Sequence, residues 1–195
     1  AYAKWGEPGI LGGAFTNSNW AYVLVPADES FATLTSSLTF SAWVRGVGVK
    51  GTNAVIWNNA KGGTTSQADY GLEIGFNPNA FAPDMALDVR GSNSLATLPL
   101  ERSVEGDWHL VTVVYRDKTV TVYEDDCEGV APVAAEAISP VKFRSTDNLA
   151  LGQRIGSSAC RLCGNLDEMR ISTKMESADW VKAEYDTVMN ADFAV

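Results

Sequence analysis

The stretch that decides the fold is Trp108-His109-Leu110-Val111-Thr112-Val113-Val114-Tyr115-Arg116-Asp117-Lys118-Thr119-Val120-Thr121-Val122-Tyr123. Two alternating runs, Leu110–Tyr115 and Thr119–Tyr123, flank the polar pair Asp117–Lys118. Period two is the repeat of a strand, whose successive side chains point to opposite faces. The short connection makes the pair an antiparallel hairpin, although it lacks the Asn-Gly or Asp-Gly such turns favour. Working outward, apolar-rich runs separated by Gly, Asn, Asp, Ser and Pro cover Ala21–Val25, Leu38–Arg45, Ala54–Asn58, Tyr70–Phe76, Met85–Arg90, Asn148–Leu151 and Leu166–Ile171. Such punctuation predicts an all-β chain, a two-sheet antiparallel sandwich or jelly roll rather than a parallel α/β sheet. One short C-terminal helix is expected. Ser177 can cap it, and Val181, Tyr185 and Val188 follow at i, i+4 and i+7, with Trp180 and Met189 widening the stripe. It should pack on the outside of the sandwich. No linker divides the chain, so residues 1–195 read as a single domain.

The chain has 195 residues, enough for a full core without staples. Twenty-four acids against fifteen bases leave a net charge of −9, which disfavours nucleic acid and anionic membrane surfaces as partners. No run of eighteen apolar residues exists to span a bilayer. The first ten residues do not form a signal peptide. A single histidine, His109, rules out a multi-histidine zinc site and would have to serve any catalytic triad alone; its place at a strand opening reads as structural. Three cysteines are too few for a disulfide scaffold. They suggest one disulfide and one thiol left over, either Cys127 with Cys160 or Cys163, or local closure of the Cys160–Cys163 pair.

Three segments together resemble the laminin-G-like jelly-roll domains of the concanavalin A-like lectin and glucanase superfamily. The first runs from Gly13-Ala14-Phe15 through Tyr22–Pro26 to Ser37–Arg45. The second is Trp108–Tyr115 continued to Val122-Tyr123-Glu124-Asp125, and the third is Leu149–Gly152 with Gly164–Ser172, closed by the Ser177–Tyr185 helix. The family usually turns with Tyr-x-Asp-Gly, where this chain reads Tyr123-Glu124-Asp125-Asp126-Cys127-Glu128-Gly129. The resemblance implies two curved sheets with a concave face open to ligand. It also implies glycan or protein binding outside the cell or at its surface, within a larger secreted or surface bacterial protein, often with a calcium ion.

Candidate sites follow from the alternation. In Leu38–Arg45, one face carries Leu38, Phe40, Ala42 and Val44, and the other Thr39, Ser41, Trp43 and Arg45. The first face is core. The second presents an indole on which a sugar ring could stack, unless Trp43 packs under a covering loop. Glu73 opposes Tyr70, Leu72, Ile74 and Phe76, while Asp88 and Arg90 oppose Met85, Leu87 and Val89. If these strands share a sheet, Trp43, Arg45, Glu73, Asp88 and Arg90 line one concavity; otherwise the charges pair with each other. Trp57 and the amide- and hydroxyl-rich loop Asn58–Gln67 offer further sugar contacts, or form a plain loop. Asp167 shares a strand face with Met169 and Ile171, so it needs a cation, an arginine or backbone N–H donors. Calcium suits one carboxylate with backbone carbonyls, and the resemblance places those carbonyls between Asn17 and Trp20.

Glu124-x-Asp126-x-Glu128 matches in form the Glu-x-Asp-x-Glu strand of related β-glucanases, whose carboxylates act as nucleophile and acid/base. Here Asp125 would be a buried charge with no evident partner, and the segment falls at the hairpin turn, so a solvated acidic turn is expected. The leading expectation is a noncatalytic glycan-binding module. A glycoside hydrolase using Glu124 and Glu128, and a structural or adhesion domain binding protein partners, are the alternatives.

Overall fold

A computed structural model of the chain describes residues 4–17, 22–34, 37–46, 54–58, 73–77, 86–91, 94–100, 106–126, 134–137, 146–155 and 162–190. Within them lie the strands β1 (Lys4–Pro8), β2 (Gly13–Asn17), β3 (Val23–Val25), β4 (Ser37–Arg45), β5 (Ala54–Asn58), β6 (Glu73–Asn77) and β7 (Ala86–Gly91). They continue with β8 (Ser94–Pro99), β9 (His109–Arg116), β10 (Thr119–Glu124), β11 (Ala134–Ala137), β12 (Leu149–Leu151) and β13 (Gly164–Ser172). A 3₁₀ turn spans Glu29–Thr33 and the helix α1 spans Ala178–Met189. All described pairings are antiparallel. One sheet has seven strands in the order β1-β2-β13-β4-β9-β10-β11, the other six in the order β3-β12-β5-β6-β7-β8. Chain neighbours such as β4 and β5 lie in different sheets, as a jelly roll requires.

The two sheets bury one face each against the other. Leu38, Phe40, Ala42 and Val44 of β4, with Val111, Val113 and Tyr115 of β9 and Val120 and Val122 of β10, meet Ile56, Trp57, Ile74, Phe76, Val89, Ala96 and Leu98 from the six-stranded sheet. Phe40 and Trp57 stack across the gap, rings 5.5 Å apart and 5° from parallel. At about 25 cal/mol per Å² of apolar area, this interior is the main force holding the sheets together.

The β9–β10 hairpin closes as its alternation predicts. Arg116 pairs with Thr119 across Asp117 and Lys118, whose φ angles of 46° and 72° are both left-handed. Two positive φ values are what a type I′ turn demands, and Asp tolerates them better than most residues. Gly164 opens β13 for a different reason: a Cβ there would lie 2.7 Å from the Arg45 carbonyl oxygen.

Four strands, β1, β2, β8 and β11, extend beyond the runs the alternation marked out. In β1, Trp5, Gly6 and Pro8 break the period-two pattern, and a bulge lies between Trp5 and Glu7. The helix is where expected, with the Ser177 hydroxyl accepting the Trp180 N–H at 3.2 Å. Its buried side differs from the apolar stripe. Val181 and Glu184 are buried, whereas Met189 is half exposed.

Candidate functional site

The expected ligand face divides between the two sheets. Trp43 and Arg45 lie on β4 in the seven-stranded sheet, while Glu73, Asp88 and Arg90 lie on β6 and β7 in the six-stranded sheet. The five therefore do not line one concavity: equivalent alternation in strands of different sheets points to opposite sides of the molecule.

On the six-stranded sheet, β6 and β7 do bring Glu73 and Arg90 together as register partners, with Asp88 opposite Gly75. Glu73 is nearly inaccessible and accepts both arms of Arg154, at 2.6 and 2.5 Å. Asp88 is likewise buried and accepts from Thr97 Oγ1 at 2.8 Å and from Asn77 Nδ2 at 3.2 Å. These carboxylates serve internal partners, as buried charge requires. Trp57 turns into the core rather than toward ligand. A bulge at Ile56 shifts the register between Val55 and Trp57, so both Ile56 and Trp57 are buried. The loop that follows Asn58 lies outside the described residues.

Trp43 offers no stacking surface. It is 0% exposed and lies beneath α1, its ring 5.5 Å from that of Tyr185. Around it the sheet face is polar and equally covered. Ser41 Oγ donates to Glu184 Oε1 at 2.9 Å, Arg170 Nη1 donates to the same oxygen at 2.7 Å, and Thr39 Oγ1 donates to the Lys174 carbonyl. Burial pushes the Glu184 carboxyl above the usual carboxylate range, against the Ser41 hydrogen bond and the Arg170 charge that pull it down. Arg45 is half exposed at the end of the same strand. Its guanidinium sits 4.8 Å over the Trp108 ring and Nη2 donates to the Pro8 carbonyl at 3.4 Å; turning the Asn165 amide over would let its oxygen accept from the same guanidinium at 2.9 and 3.2 Å.

The calcium expectation centres on Asp167. Asp167 is paired with Trp43 and shares its outer face, whereas Met169 packs against the core. A one-residue bulge between Asp167 and Arg170, with Glu168 at φ 46°, reverses the parity that put Asp167, Met169 and Ile171 on one side. Both carboxylate oxygens accept backbone N–H groups, Oδ2 from Leu11 at 3.1 Å and Oδ1 from Glu168 at 2.9 Å. This was one of the three ways its burial could be satisfied. Asn17 sits beside Phe15's side of the sheet and donates to the Gly152 carbonyl at 3.1 Å. Trp20 lies outside the described residues. The Asp167 and Asn17 side chains thus face opposite ways, and of the backbone carbonyls expected from residues 17–20 only that of Asn17 lies within the described residues.

The acidic segment leaves the sheet at its start, and its first two carboxylates are not solvated. β10 ends at Glu124, and Asp125 enters the turn at φ 53°. Glu124 and Asp125 are both buried. Asp125 has the partner its sequence did not advertise: Oδ2 lies 2.8 Å from His109 Nδ1, and Oδ1 accepts the Leu110 N–H at 2.9 Å. His109 thus ties the opening of β9 to the turn after β10. Glu128 lies outside the described residues, as do Cys127 and Cys160. Cys163 is a free, exposed thiol, so neither its local closure with Cys160 nor a bond to Cys127 forms.

An open groove of about 340 Å³ runs beside the covered patch, on the same face of the seven-stranded sheet. Thr119, Thr121 and Tyr123 project from alternate positions of β10, and Val114 and Arg116 from β9. Met175, Glu176 and Ser177, the segment entering α1, form the other wall. The volume falls within the roughly 300–1,000 Å³ of ligand sites. The hairpin alternation placed these side chains together, but what singles them out is the edge of α1, which the strand pattern does not contain.

A two-sheet antiparallel sandwich closed by a helix, with a polar and aromatic groove on one sheet, defines a jelly roll of the lectin type. A family profile described as the concanavalin A-like lectin/glucanases superfamily, in its laminin G-like branch, matches residues 17–182, and the chain belongs to that family. No protein with a curated function matches the sequence. Among solved structures, domain 4 of AbnA, an extracellular arabinanase from Geobacillus stearothermophilus in complex with arabinotriose, is similar at a TM-score of 0.68 and 16% identity, with 94% of this chain and 81% of that one covered. The CBM40 of the Ruminococcus gnavus IT-sialidase bound to α2,3-sialyllactose is similar at 0.64 and 15%, covering 88% and 96%. The binding domain of Paraclostridial Mosquitocidal Protein 1 is similar at 0.68 and 13%, covering 96% of this chain and 46% of that one. At these identities the likeness is one of fold.

Proposed function

We propose that this chain is a noncatalytic carbohydrate-binding module, acting outside the cell or at its surface with a glycan as partner. The observation that carries the reading is the groove on β9 and β10. Sugars present C–H faces that pack on aromatic and apolar side chains, and hydroxyls that exchange hydrogen bonds with side-chain oxygens. Tyr123, Val114 and Met175 supply the first kind of surface; Thr119, Thr121, Asp117 and Glu176 supply the second. Five of the lining side chains stand on strands whose register is fixed by pairing on both sides of β9, so the site is shaped before ligand arrives. The similar folds that hold arabinotriose and sialyllactose support a binding role.

A glycan array probed with the full chain tests this. The expected result is saturable binding to a subset of glycans, weakened at least tenfold by Tyr123→Ala, with every bound glycan recovered intact by mass spectrometry. No binding across the array, or cleavage of a bound glycan, overturns the reading.

A further inference from the structure

The geometry points to a groove that selects uncharged glycans and rejects acidic ones. This inference rests on the binding role proposed above and names its ligand class. The charged groups lining the groove are Arg116, Asp117 and Glu176, one guanidinium against two carboxylates. Lys118 and Lys174, their neighbours in sequence, do not line it. The guanidinium is also engaged. Arg116 Nε donates to Asp117 Oδ2 at 3.2 Å, and Nη1 lies 3.5 Å from Met175 Sδ.

An arginine recognises a sugar carboxylate through two parallel N–H donors. Here one donor of that fork is turned to the protein's own carboxylate, and the anion that would displace it meets both Asp117 and Glu176. Like charge brought together is a means of rejecting the wrong ligand alongside attraction to the right one. A neutral sugar meets no such penalty. Its hydroxyls donate to Asp117 and Glu176 and accept from Thr119 and Thr121, while its ring lies against Tyr123. The Arg116–Asp117 pair and Glu176 are thus specificity-determining residues.

The test keeps the shape of the groove and removes the two negative charges. Asp117→Asn suits the left-handed turn position, since Asn adopts positive φ readily. Glu176→Gln retains an oxygen that can accept the Ser172 hydroxyl, which now donates to Glu176 Oε1 at 3.0 Å. The wild-type chain and the double variant are compared on an array of matched neutral and acidic probes, including arabinotriose, lactose and α2,3-sialyllactose, with thermal melting as the check on folding. For the wild type, at least tenfold preference for neutral probes over their sialylated or uronic-acid counterparts is expected. In the double variant, with Arg116 released, that preference falls to within about threefold. A wild type that prefers acidic glycans, or a preference that the folded double variant leaves unchanged, overturns the selectivity while leaving the module a glycan binder. Binding that survives Tyr123→Ala in full overturns the location. Silence on every probe overturns the binding role itself, and the selectivity with it.

Discussion

The outer face of the seven-stranded sheet has two neighbouring regions written in the same language and put to different uses. On β4 it presents Thr39, Ser41 and Trp43; on β10 it presents Thr119, Thr121 and Tyr123. Each is a pair of hydroxyl side chains followed by an aromatic ring. The first lies under α1, where Trp43 meets Tyr185 and Ser41 meets Glu184. The second is left open as a groove. Period-two alternation specifies which way side chains face. Whether that face meets water or protein depends on an element more than fifty residues further along the chain.

The difference can be broken by substitution, beginning with the largest effect. Trp43→Ala removes a fully buried indole and should cost about 3–5 kcal/mol, read from urea unfolding. Thr119→Ala, at an exposed position in the groove, should change stability by no more than about 0.5 kcal/mol. Equal losses at the two positions would erase the distinction between covered and open regions. Next in size, Ser177→Ala deletes the cap that accepts the Trp180 N–H, with an expected loss of about 1 kcal/mol. Because α1 roofs Trp43, the indole should also become more accessible to a fluorescence quencher than in the parent chain. Unaltered stability would show that the helix is held by its contacts with the sheet and not by its first turn.

The smallest effect sharpens the comparison through pH. Burial raises the Glu184 carboxyl above its ordinary value of 4.5, so the folded state holds this proton more tightly than the unfolded chain does. Its favourable contribution is present below that value and is lost as pH rises through the folded-state value. Glu184→Gln has no proton to lose. Between about pH 4 and about pH 7, urea unfolding should therefore show the variant gaining stability relative to the wild type. A difference between the two that does not move with pH would mean that Ser41 and Arg170 offset the burial completely.

How much of this could be read in advance depended on whether neighbours in space were also readable as neighbours in sequence. The core faces of β4, β9 and β10 followed from alternation, and the Asp117–Lys118 hairpin from two runs with a short gap. Ser177 announced the helix because a cap acts within one turn. Asp125 and His109 are a middle case. Hairpin register sets Glu124 opposite Val111, so the next residue arrives at Leu110 and its neighbour. Counting along the hairpin finds the pair, whereas searching the sequence around Asp125 for a cation does not. Glu184 was missed because a carboxylate within a helical stripe reads as solvent-facing until Ser41 and Arg170 are known to lie beneath it. Asp167 and Trp57 failed for a further reason. Each lies at a bulge, and a single unpaired residue reverses every inside–outside assignment beyond it.

The bulge in β13 has a consequence for how such a chain can change over generations. Three steps along β13, from Asp167 to Arg170, span two along β4, from Trp43 to Ser41. Exchanging one side chain for another within those steps leaves the inner and outer rows intact. Deleting the one extra residue there would leave a regular ladder with Arg170 still outward opposite Ser41 and Ile171 still inward opposite Phe40, whereas a deletion in a regular stretch of the same strand would turn every side chain beyond it over, so this spot is where the chain tolerates a change of length.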